Sequence, residues 1–243
     1  MHSFFHFAAF NHPEHAALIQ RILAIPHKRV DRHVVCFLTR PEIEALLSVP
    51  DHTSWIGRRD HALLVLAVQT GLRVSELTAL NCGDVVLGVG AHIRCDGKGR
   101  KERHTPLTSQ TVAVLHAWMA ERRGNTTDPL FPSRRGGPLS CDAVQLLVTK
   151  YANAAQQRCP SLSIKTVTPH VLRHSCAMAL LEAGIDVAVI ALWLGHEDLQ
   201  ATDIYLHADL GIKERALAKA APTGTPPGRY RPPEALLAFL ESL

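Results

Sequence analysis

A helical pattern dominates the sequence and is interrupted by one stretch of different character, Val85 to Pro106. Within it, AHIRC and ERHTPL have the composition of short strands. The segment DGKGRK between them has the glycines of a flexible hairpin tip. The pattern therefore predicts a mainly helical chain that carries one short hairpin.

Local capping signals predict where most of the helices begin and end. Thr39 and Glu42 form a capping-box pattern that opens a helix through about Leu47. Gly71 is a stop signal for a helix that begins near Ile56. The other predicted helices run from about Val74 to Leu80, from Thr108 to near Gly124, from Ser140 to about Gln157, from Thr168 to about Glu182 and from Asp186 to Leu194, and a further helix is expected to contain Tyr205.

Composition excludes several classes of protein. A chain of 243 residues that is 47% hydrophobic can bury a sizeable core, which excludes a disordered or fibrous protein. No apolar run reaches the length of about 20 residues that spans a bilayer. The apolar start MHSFFHFAAF lacks the features of a signal peptide. The six cysteines form no CxxC pair, which indicates reduced thiols in a cytoplasmic protein, mostly core fillers, without a zinc framework.

Segments at both ends of the chain need a partner surface. Four of the seven phenylalanines lie in the first ten residues, and so much aromatic surface in one short helix must pack on something. Between Pro222 and Pro233 the chain has five of its fifteen prolines, which predicts a linker. The amphipathic segment PEALLAFLESL that follows is too short to form a stable helix alone in water, so it must dock.

Two basic features suit a phosphate-bearing partner. Arg73 in TGLRVSEL lies where one helix stops and the next begins, so its guanidinium can point into a cleft. The plain alternative is a surface arginine paired with Glu76. The hairpin tip concentrates basic side chains, and its alternative is a solvated turn. A nucleotide-binding loop is rejected because His92 and Gly99 stand where that pattern requires Gly and Ser or Thr.

A third basic feature is the segment TPHVLRHSCA. His170 and Arg173 are three residues apart in the first turn of a helix, so both face the same way. A helix N-terminus also favours the binding of an anion. A zinc site from His170 and His174 is disfavoured, because Val171 stands where the helical metalloprotease pattern has Glu. His196 and Tyr205, nine residues apart, would each be read as structural if taken alone.

The order and spacing of these motifs resemble the catalytic set of the tyrosine recombinases, the phage-integrase family, of the bacterial chromosome-resolving or transposon-associated type. The resemblance runs from about Leu38 to Leu210. The matching positions are Arg73 in GLRVSEL, Lys98 in GKGRKER, His170 and Arg173 in HVLRH, His196 in LGH, and Tyr205. It implies an α+β, mainly α, integrase-type catalytic domain with a small antiparallel sheet and hairpin.

The resemblance also implies a domain organisation. Residues 1–35 would be a remnant of the last helix of an N-terminal core-binding domain, with its linker, so the chain is expected to be N-terminally truncated. Residues 36–221 would form the catalytic domain. Residues 222–243 would be the Pro-rich linker and a C-terminal docking helix, which packs either on its own chain or on a neighbouring protomer.

The implied activity is site-specific DNA recombination, whether integration, excision or transposition, through a 3′-phosphotyrosyl intermediate. Tyr205 would be the nucleophile, and Arg73 and Arg173 would hold the nonbridging oxygens of the phosphate. Lys98 would protonate the leaving 5′-oxygen, His170 would exchange the proton of Tyr205, and His196 would hydrogen-bond the phosphate. No cofactor or metal is needed, because the arginines supply the charge. Two other tyrosines could compete for the role of nucleophile. Tyr151 lies in a helix and is expected in the core, and Tyr230 lies in the Pro-rich linker.

The expected partners follow from the same resemblance. The chain should bind double-stranded DNA and form a homo-oligomer, a tetramer on DNA, with no membrane and no small-molecule substrate. Further phosphate contacts are expected from Arg100, Lys101, Arg103, Arg134 and Arg135. The alternative is a truncated DNA-binding remnant that is inactive in recombination. A metal-dependent nuclease fails for want of acidic ligands.

Overall fold

The computed structural model describes residues 2–25, 35–96 and 102–195, which fall into two compact units, Met1–His33 and Val34–Leu243. The first unit has α1 (His2–Asn11), a 3-10 turn (Pro13–His15) and α2 (Ala16–Leu23). One helix was expected here. The structure has two, because Pro13 has no N–H to continue the ladder and opens a new turn. Phe4, Phe7 and Phe10 are exposed.

The second unit is built mainly from helices, and its predicted helix ends through residue 194 are found within about two residues. The helices are α3 (Arg40–Leu47), α4 (Trp55–Thr70), α5 (Val74–Ala79), α6 (Ser109–Arg122), α7 (Cys141–Ala155), α8 (Pro169–Glu182) and α9 (Val187–Leu194), with 3-10 turns at Cys82–Asp84 and Pro160–Ile164. Capping explains these limits. The backbone N–H of Thr39 donates to Glu42 over 2.7 Å, and the Thr108, Ser140 and Thr168 hydroxyls each accept from a backbone N–H.

Within the described residues, three strands form one antiparallel sheet in the order β1 (Val85–Val86), β2 (His92–Asp96), β3 (Glu102–Pro106). β2 and β3 are the two predicted strands of the hairpin, and they pair from His92↔Pro106 to Asp96↔Glu102. β1 is an addition that the sequence pattern did not reveal. Ile93, Cys95 and Thr105 are buried on the face that packs against the helices. The predicted mainly α, α+β class is thereby confirmed.

Helix α4 lies at the centre of the core. It packs against both α6 and α8, and Leu63, Leu64 and Leu66 in it are almost completely buried. A smaller apolar cluster, which includes Met178 and Leu194, joins α8 to α9. The residues at the C-terminal ends of α4 and α9 both contact Arg173 of α8, which is where the candidate site lies.

A buried polar network fixes the other side of the core. The Arg59 guanidinium donates to Asp60 Oδ1 over 2.6 and 2.8 Å and to the Pro132 carbonyl over 2.8 Å. The Tyr151 hydroxyl donates to Asp60 Oδ2 over 2.9 Å. Burial and the Asp60 charge raise the pKa of Tyr151 above its ordinary value. The interpretation of Tyr151 as core is confirmed, and Tyr230 lies outside the described residues.

The cysteines are free, as reduced thiols would be, but only half of them fill the core. Cys82, Cys95 and Cys176 are buried, whereas Cys36 and Cys141 are exposed and Cys159 is half-buried. The prediction that most of them fill the core was therefore too broad. Among the helices that the structure describes, none is long and apolar enough to cross a bilayer.

Candidate active site

Arg73 lies at a sharp junction between α4 and α5. Gly71 ends α4 with φ at +63°, a conformation that glycine adopts without steric cost. Arg73 follows two residues later, and its backbone N–H donates to Glu76 Oε2 over 2.8 Å, which stabilises the start of α5. The side chain of Arg73 uses separate nitrogens for two partners. Nη1 donates to Glu76 Oε1 over 2.8 Å, and Nη2 donates to the Gly195 carbonyl over 2.9 Å. Arg73 therefore pairs with Glu76 and at the same time points toward the end of α9.

Arg173 joins the ends of two helices. It projects from α8 and is 4% exposed. Nη1 donates to the Gly71 carbonyl over 2.6 Å, and Nη2 donates to the Leu194 carbonyl over 2.7 Å. Both acceptors lie at helix C-termini, where carbonyls lack partners within the helix and carry the negative end of the helix dipole. The Arg173 guanidinium is thus held by backbone atoms from α4 and α9.

The C-terminal end of α9 is the point where three arginines meet. The Leu194 carbonyl accepts from Arg173 and also from Arg103 Nη1, over 2.6 Å. The Gly195 carbonyl accepts from Arg73. Gly195 closes α9 with φ at +66°. We call Arg73, Arg103 and Arg173 the arginine cluster. The next residue in the chain is His196.

Glu76 is the counter-charge of the arginine cluster. Its side chain is 5% exposed and accepts from Arg73 through Oε1 and from Arg103 Nη2 through Oε2, over 3.0 Å. Burial opposes its ionisation. The backbone N–H of Arg73 and the two guanidinium groups outweigh that effect, so the pKa of Glu76 is lowered from its ordinary value. The carboxylate therefore stays charged at neutral pH and orients two arginines at once.

The two histidines of α8 flank Arg173: His170 lies about one turn before it, and His174 is the next residue. His170 is exposed in the first turn, and its ring stacks on that of His174 with centroids 6.3 Å apart. Burial, with contributions from His170 and Arg173, lowers the pKa of His174. Across residues 2–25, 35–96 and 102–195, no three His, Cys, Asp or Glu side chains are grouped so that they could hold a metal ion.

The remaining predicted site residues divide into three groups. Arg134 and Arg135 are exposed in a turn closed by a bond from the Ser133 N–H to the Gly137 carbonyl, 2.7 Å long. Arg103, by contrast, points into the protein, and its side chain is 11% exposed. The others lie outside the described residues, and they are Lys98, Arg100, Lys101, His196 and Tyr205.

Several residues that build the site were missed from the sequence. Glu76 was recognised as a partner of Arg73 but not of Arg103, although its position three residues after Arg73 is a capping signal. Trp193 Nε1 donates to the Thr70 carbonyl over 3.1 Å, and Cys176 Sγ donates to the Gln69 carbonyl over 3.2 Å. Burial raises the pKa of the Cys176 thiol to about 12, which keeps it protonated. Both side chains donate to carbonyls at the end of α4, and no local sequence pattern predicts these contacts.

Comparisons with known proteins identify relatives over most of the chain. The model of the phage integrase family matches residues 36–210. A Sinorhizobium fredii protein that carries the name integrase/recombinase y4rC is 56% identical over 243 residues, which are 100% of this chain and 73% of that protein. Tyrosine recombinase XerC of Xylella fastidiosa is 37% identical over 185 residues, which are 76% of this chain and 60% of XerC.

A solved structure shows the same fold. In the post-cleavage complex of the XerH site-specific recombinase bound to palindromic difH substrate, the match has a TM-score of 0.68 and 26% sequence identity. It covers 81% of this chain and 57% of the XerH chain. This likeness confirms the predicted fold class, that of an integrase-type catalytic domain. The chain spans less than two thirds of XerC and of XerH, so it corresponds to part of each.

Proposed function

Because the chain belongs to the phage integrase family, we propose that it performs site-specific DNA recombination by cleaving and rejoining strands through a 3′-phosphotyrosyl intermediate. The observation that carries the proposal is the arginine cluster. Its guanidinium groups lie at the end of α9, directly before His196 and ten residues before Tyr205. The family match through residue 210 includes all six predicted catalytic positions, which favours an active enzyme over an inactive remnant.

Arg73 and Arg173 suit the charge that develops in phosphoryl transfer. In the transition state, negative charge spreads over the nonbridging oxygens of the phosphate, and catalysis is mainly positioning and electrostatic stabilisation. Arginine presents a planar fork of donors that matches two such oxygens. Arg73 is held by Glu76 and the Gly195 carbonyl, and Arg173 is held by the carbonyls of Gly71 and Leu194, so their charges are fixed in place before DNA arrives. These two arginines carry the charge that a metal would otherwise supply.

The proton transfers use residues on both sides of the phosphate. A tyrosine hydroxyl ordinarily ionises near pH 10, so Tyr205 needs a proton acceptor, and His170 has that role in the proposal. Tyr205 Oη attacks the phosphorus, the bond to the 5′-oxygen breaks, and Lys98 gives that oxygen a proton. His196 hydrogen-bonds the phosphate. The 5′-hydroxyl of a second strand then attacks the phosphotyrosine, and Tyr205 regains its proton.

The proposed partner is duplex DNA, and the proposed assembly is a tetramer on that DNA. XerH was solved with its difH substrate bound, which supports DNA as the ligand of the related fold. Contacts from Arg100, Lys101, Arg134 and Arg135 would add affinity for phosphate. The division into residues 1–35, 36–221 and 222–243, with a C-terminal docking segment, belongs to the same proposal, as does a cytoplasmic location.

A covalent-adduct assay tests the proposed function. The protein is incubated in EDTA with a pool of nicked duplexes whose arms are randomised, and adducts are resolved on a denaturing gel. We expect a protein–DNA adduct with wild type and none with Tyr205→Phe. The matched control is Tyr230→Phe, which removes another tyrosine hydroxyl and should keep the adduct. An adduct that persists in Tyr205→Phe, or duplex binding without any wild-type adduct, would falsify the proposal.

A further inference from the structure

Arg103 is a basic residue of the hairpin, yet it points inward. It is the second residue of β3 and pairs with Cys95 of β2, whose side chain is buried beneath the sheet. Side chains of directly paired residues lie on the same face of a sheet. Consistent with this, the Arg103 side chain is 11% exposed. Arg94, on the opposite face of β2, is 46% exposed.

The Arg103 guanidinium contacts two parts of the candidate site. Nη2 donates to Glu76 Oε2 over 3.0 Å, and Nη1 donates to the Leu194 carbonyl over 2.6 Å. The guanidinium also lies directly against Gly195, since a Cβ added there would clash with Arg103 Nη1. Arg103 therefore ties β3 to the start of α5 and to the end of α9.

Glu76 transmits the position of Arg103 to Arg73. One carboxylate oxygen, Oε2, takes Arg103, which leaves Oε1 for the Nη1 of Arg73. Arg73 Nη2 then remains on the Gly195 carbonyl. A carboxylate without a competing cation can accept an arginine fork with both oxygens. If Arg103 were removed, Glu76 could take both Arg73 nitrogens and turn the Arg73 fork away from Gly195.

We propose that Arg103 is a positioning residue for strand cleavage, which acts through Glu76 to hold Arg73 in its catalytic orientation. This inference rests on the proposed function of Arg73. It replaces the expectation that Arg103 binds DNA phosphate. Its two Nη atoms are engaged inside the protein, Nη1 by the Leu194 carbonyl and Nη2 by Glu76. The exposed Arg134 and Arg135 are better placed for phosphate.

The test separates the cleavage step from DNA binding. Single-turnover adduct formation and the Kd are measured on one nicked duplex selected by wild type from the randomised pool. We expect Arg103→Met to slow adduct formation by about 10²-fold, on the scale of losing one preorganised charge. The Kd should change by less than about twofold, and the slope of log Kd against log salt should stay the same, because no phosphate contact is lost. Arg94→Met makes the same change on the outer face of the hairpin and should cleave like wild type.

A double-mutant cycle identifies the route through Arg73. If Arg103 acts through Arg73, Arg103→Met adds little to the defect of Arg73→Lys, so the double variant cleaves within about threefold of Arg73→Lys alone. Multiplicative defects in the double variant would contradict the inference, as would wild-type cleavage by Arg103→Met. A salt slope smaller by about one in Arg103→Met would instead establish a phosphate contact.

Arg103→Lys provides a second, more conservative variant in case Arg103→Met does not fold. It keeps the cation but can satisfy only one of the two acceptors, so we expect about a tenfold slower cleavage and the same coupling to Arg73. Thermal melts check that each variant is folded. If wild type itself gives no adduct, the proposed function fails. If wild type gives an adduct and Arg103→Lys behaves as wild type does, only the positioning role of Arg103 is wrong.

Discussion

Several polar side chains in this protein bond a different partner with each of their polar atoms. Arg73 gives Nη1 to a carboxylate and Nη2 to a carbonyl, a division that a lysine ammonium could not reproduce. Glu42 is a second example, outside the candidate site. It is buried, yet Thr39, Ser161 and Lys165 all donate to its two oxygens. These bonds therefore keep Glu42 charged, and part of the stability of the fold depends on them.

Glu42 predicts a stability that falls in acid. Burial opposes its charge, but hydrogen bonds from Lys165, Ser161 and Thr39 lower its pKa to about 2 from the ordinary 4.5. A depressed pKa stabilises the fold above pH 4.5, and that contribution disappears as the pH falls from 4.5 toward 2. Urea unfolding at several pH values should show Glu42→Gln less stable than wild type by about 2–3 kcal/mol at pH 7, with the gap closing through that window.

The control for Glu42 is Glu44→Gln, two residues away. Glu44 is 65% exposed and pairs with the exposed Arg40, so its removal should cost little at any pH. A gap between wild type and Glu42→Gln that stays constant from pH 6 to pH 3 would contradict the assignment.

At the level of elements, the ends of helices are both the best-predicted features and the most important ones for the site. Thr39, Thr108, Ser140 and Asp186 act within one turn of themselves, so sequence alone locates the helices that they cap. The strand β1 was missed because two residues carry no alternation to detect. The helix α6 was expected to end near Gly124, and it ends in the left-handed conformation of Arg123.

Gly71 should be more sensitive to substitution than Gly184, another glycine with positive φ. An added Cβ at Gly71 would lie 2.7 Å from Leu194 Cδ2 and 3.2 Å from Cys176, whereas at Gly184, with φ at +82°, nothing lies within 4 Å. Both Gly→Ala variants bear the backbone cost of about 1 kcal/mol. We expect Gly71→Ala to lose a further 1–3 kcal/mol or so through overpacking between α4 and α9. Urea midpoints of the two variants measure the difference, and equal losses would show that α9 gives way freely.

At the level of the whole molecule, the local patterns stop being informative. The types of the site residues follow from motif and spacing, but their convergence does not. Arg73 meets Gly195 across 122 residues of sequence, and Arg173 meets Gly71 across 102. No periodicity reports such pairings, which come from how α4, α8 and α9 pack. For the same reason the inward direction of Arg103 was unpredictable, since a basic hairpin looks solvated in sequence.

The formal net charge of +4 is small, so DNA affinity must depend on where the basic groups lie. The exposed Arg134 and Arg135 predict two phosphate contacts. Each Arg→Gln change there should weaken duplex binding and reduce the slope of log Kd against log salt by about one. A salt titration by fluorescence anisotropy measures both quantities. Arg40→Gln is the control, because Arg40 is 91% exposed and engages Glu44. If the salt slope is unchanged in both Arg134→Gln and Arg135→Gln, this turn does not contact DNA phosphate.

The three arginines depend on carbonyls from a single helical turn, Leu194 and Gly195 at the end of α9. If that turn unwinds, all three lose an acceptor together, although Arg73 and Arg103 keep Glu76 and Arg173 keeps the Gly71 carbonyl. We therefore expect a molecule whose turn is unwound to cleave more slowly than one whose turn is wound. A rate measured on a population then depends on the fraction of molecules whose turn is wound. Changes far from the phosphate that shift this winding equilibrium alter that fraction and leave the chemistry of each state unchanged.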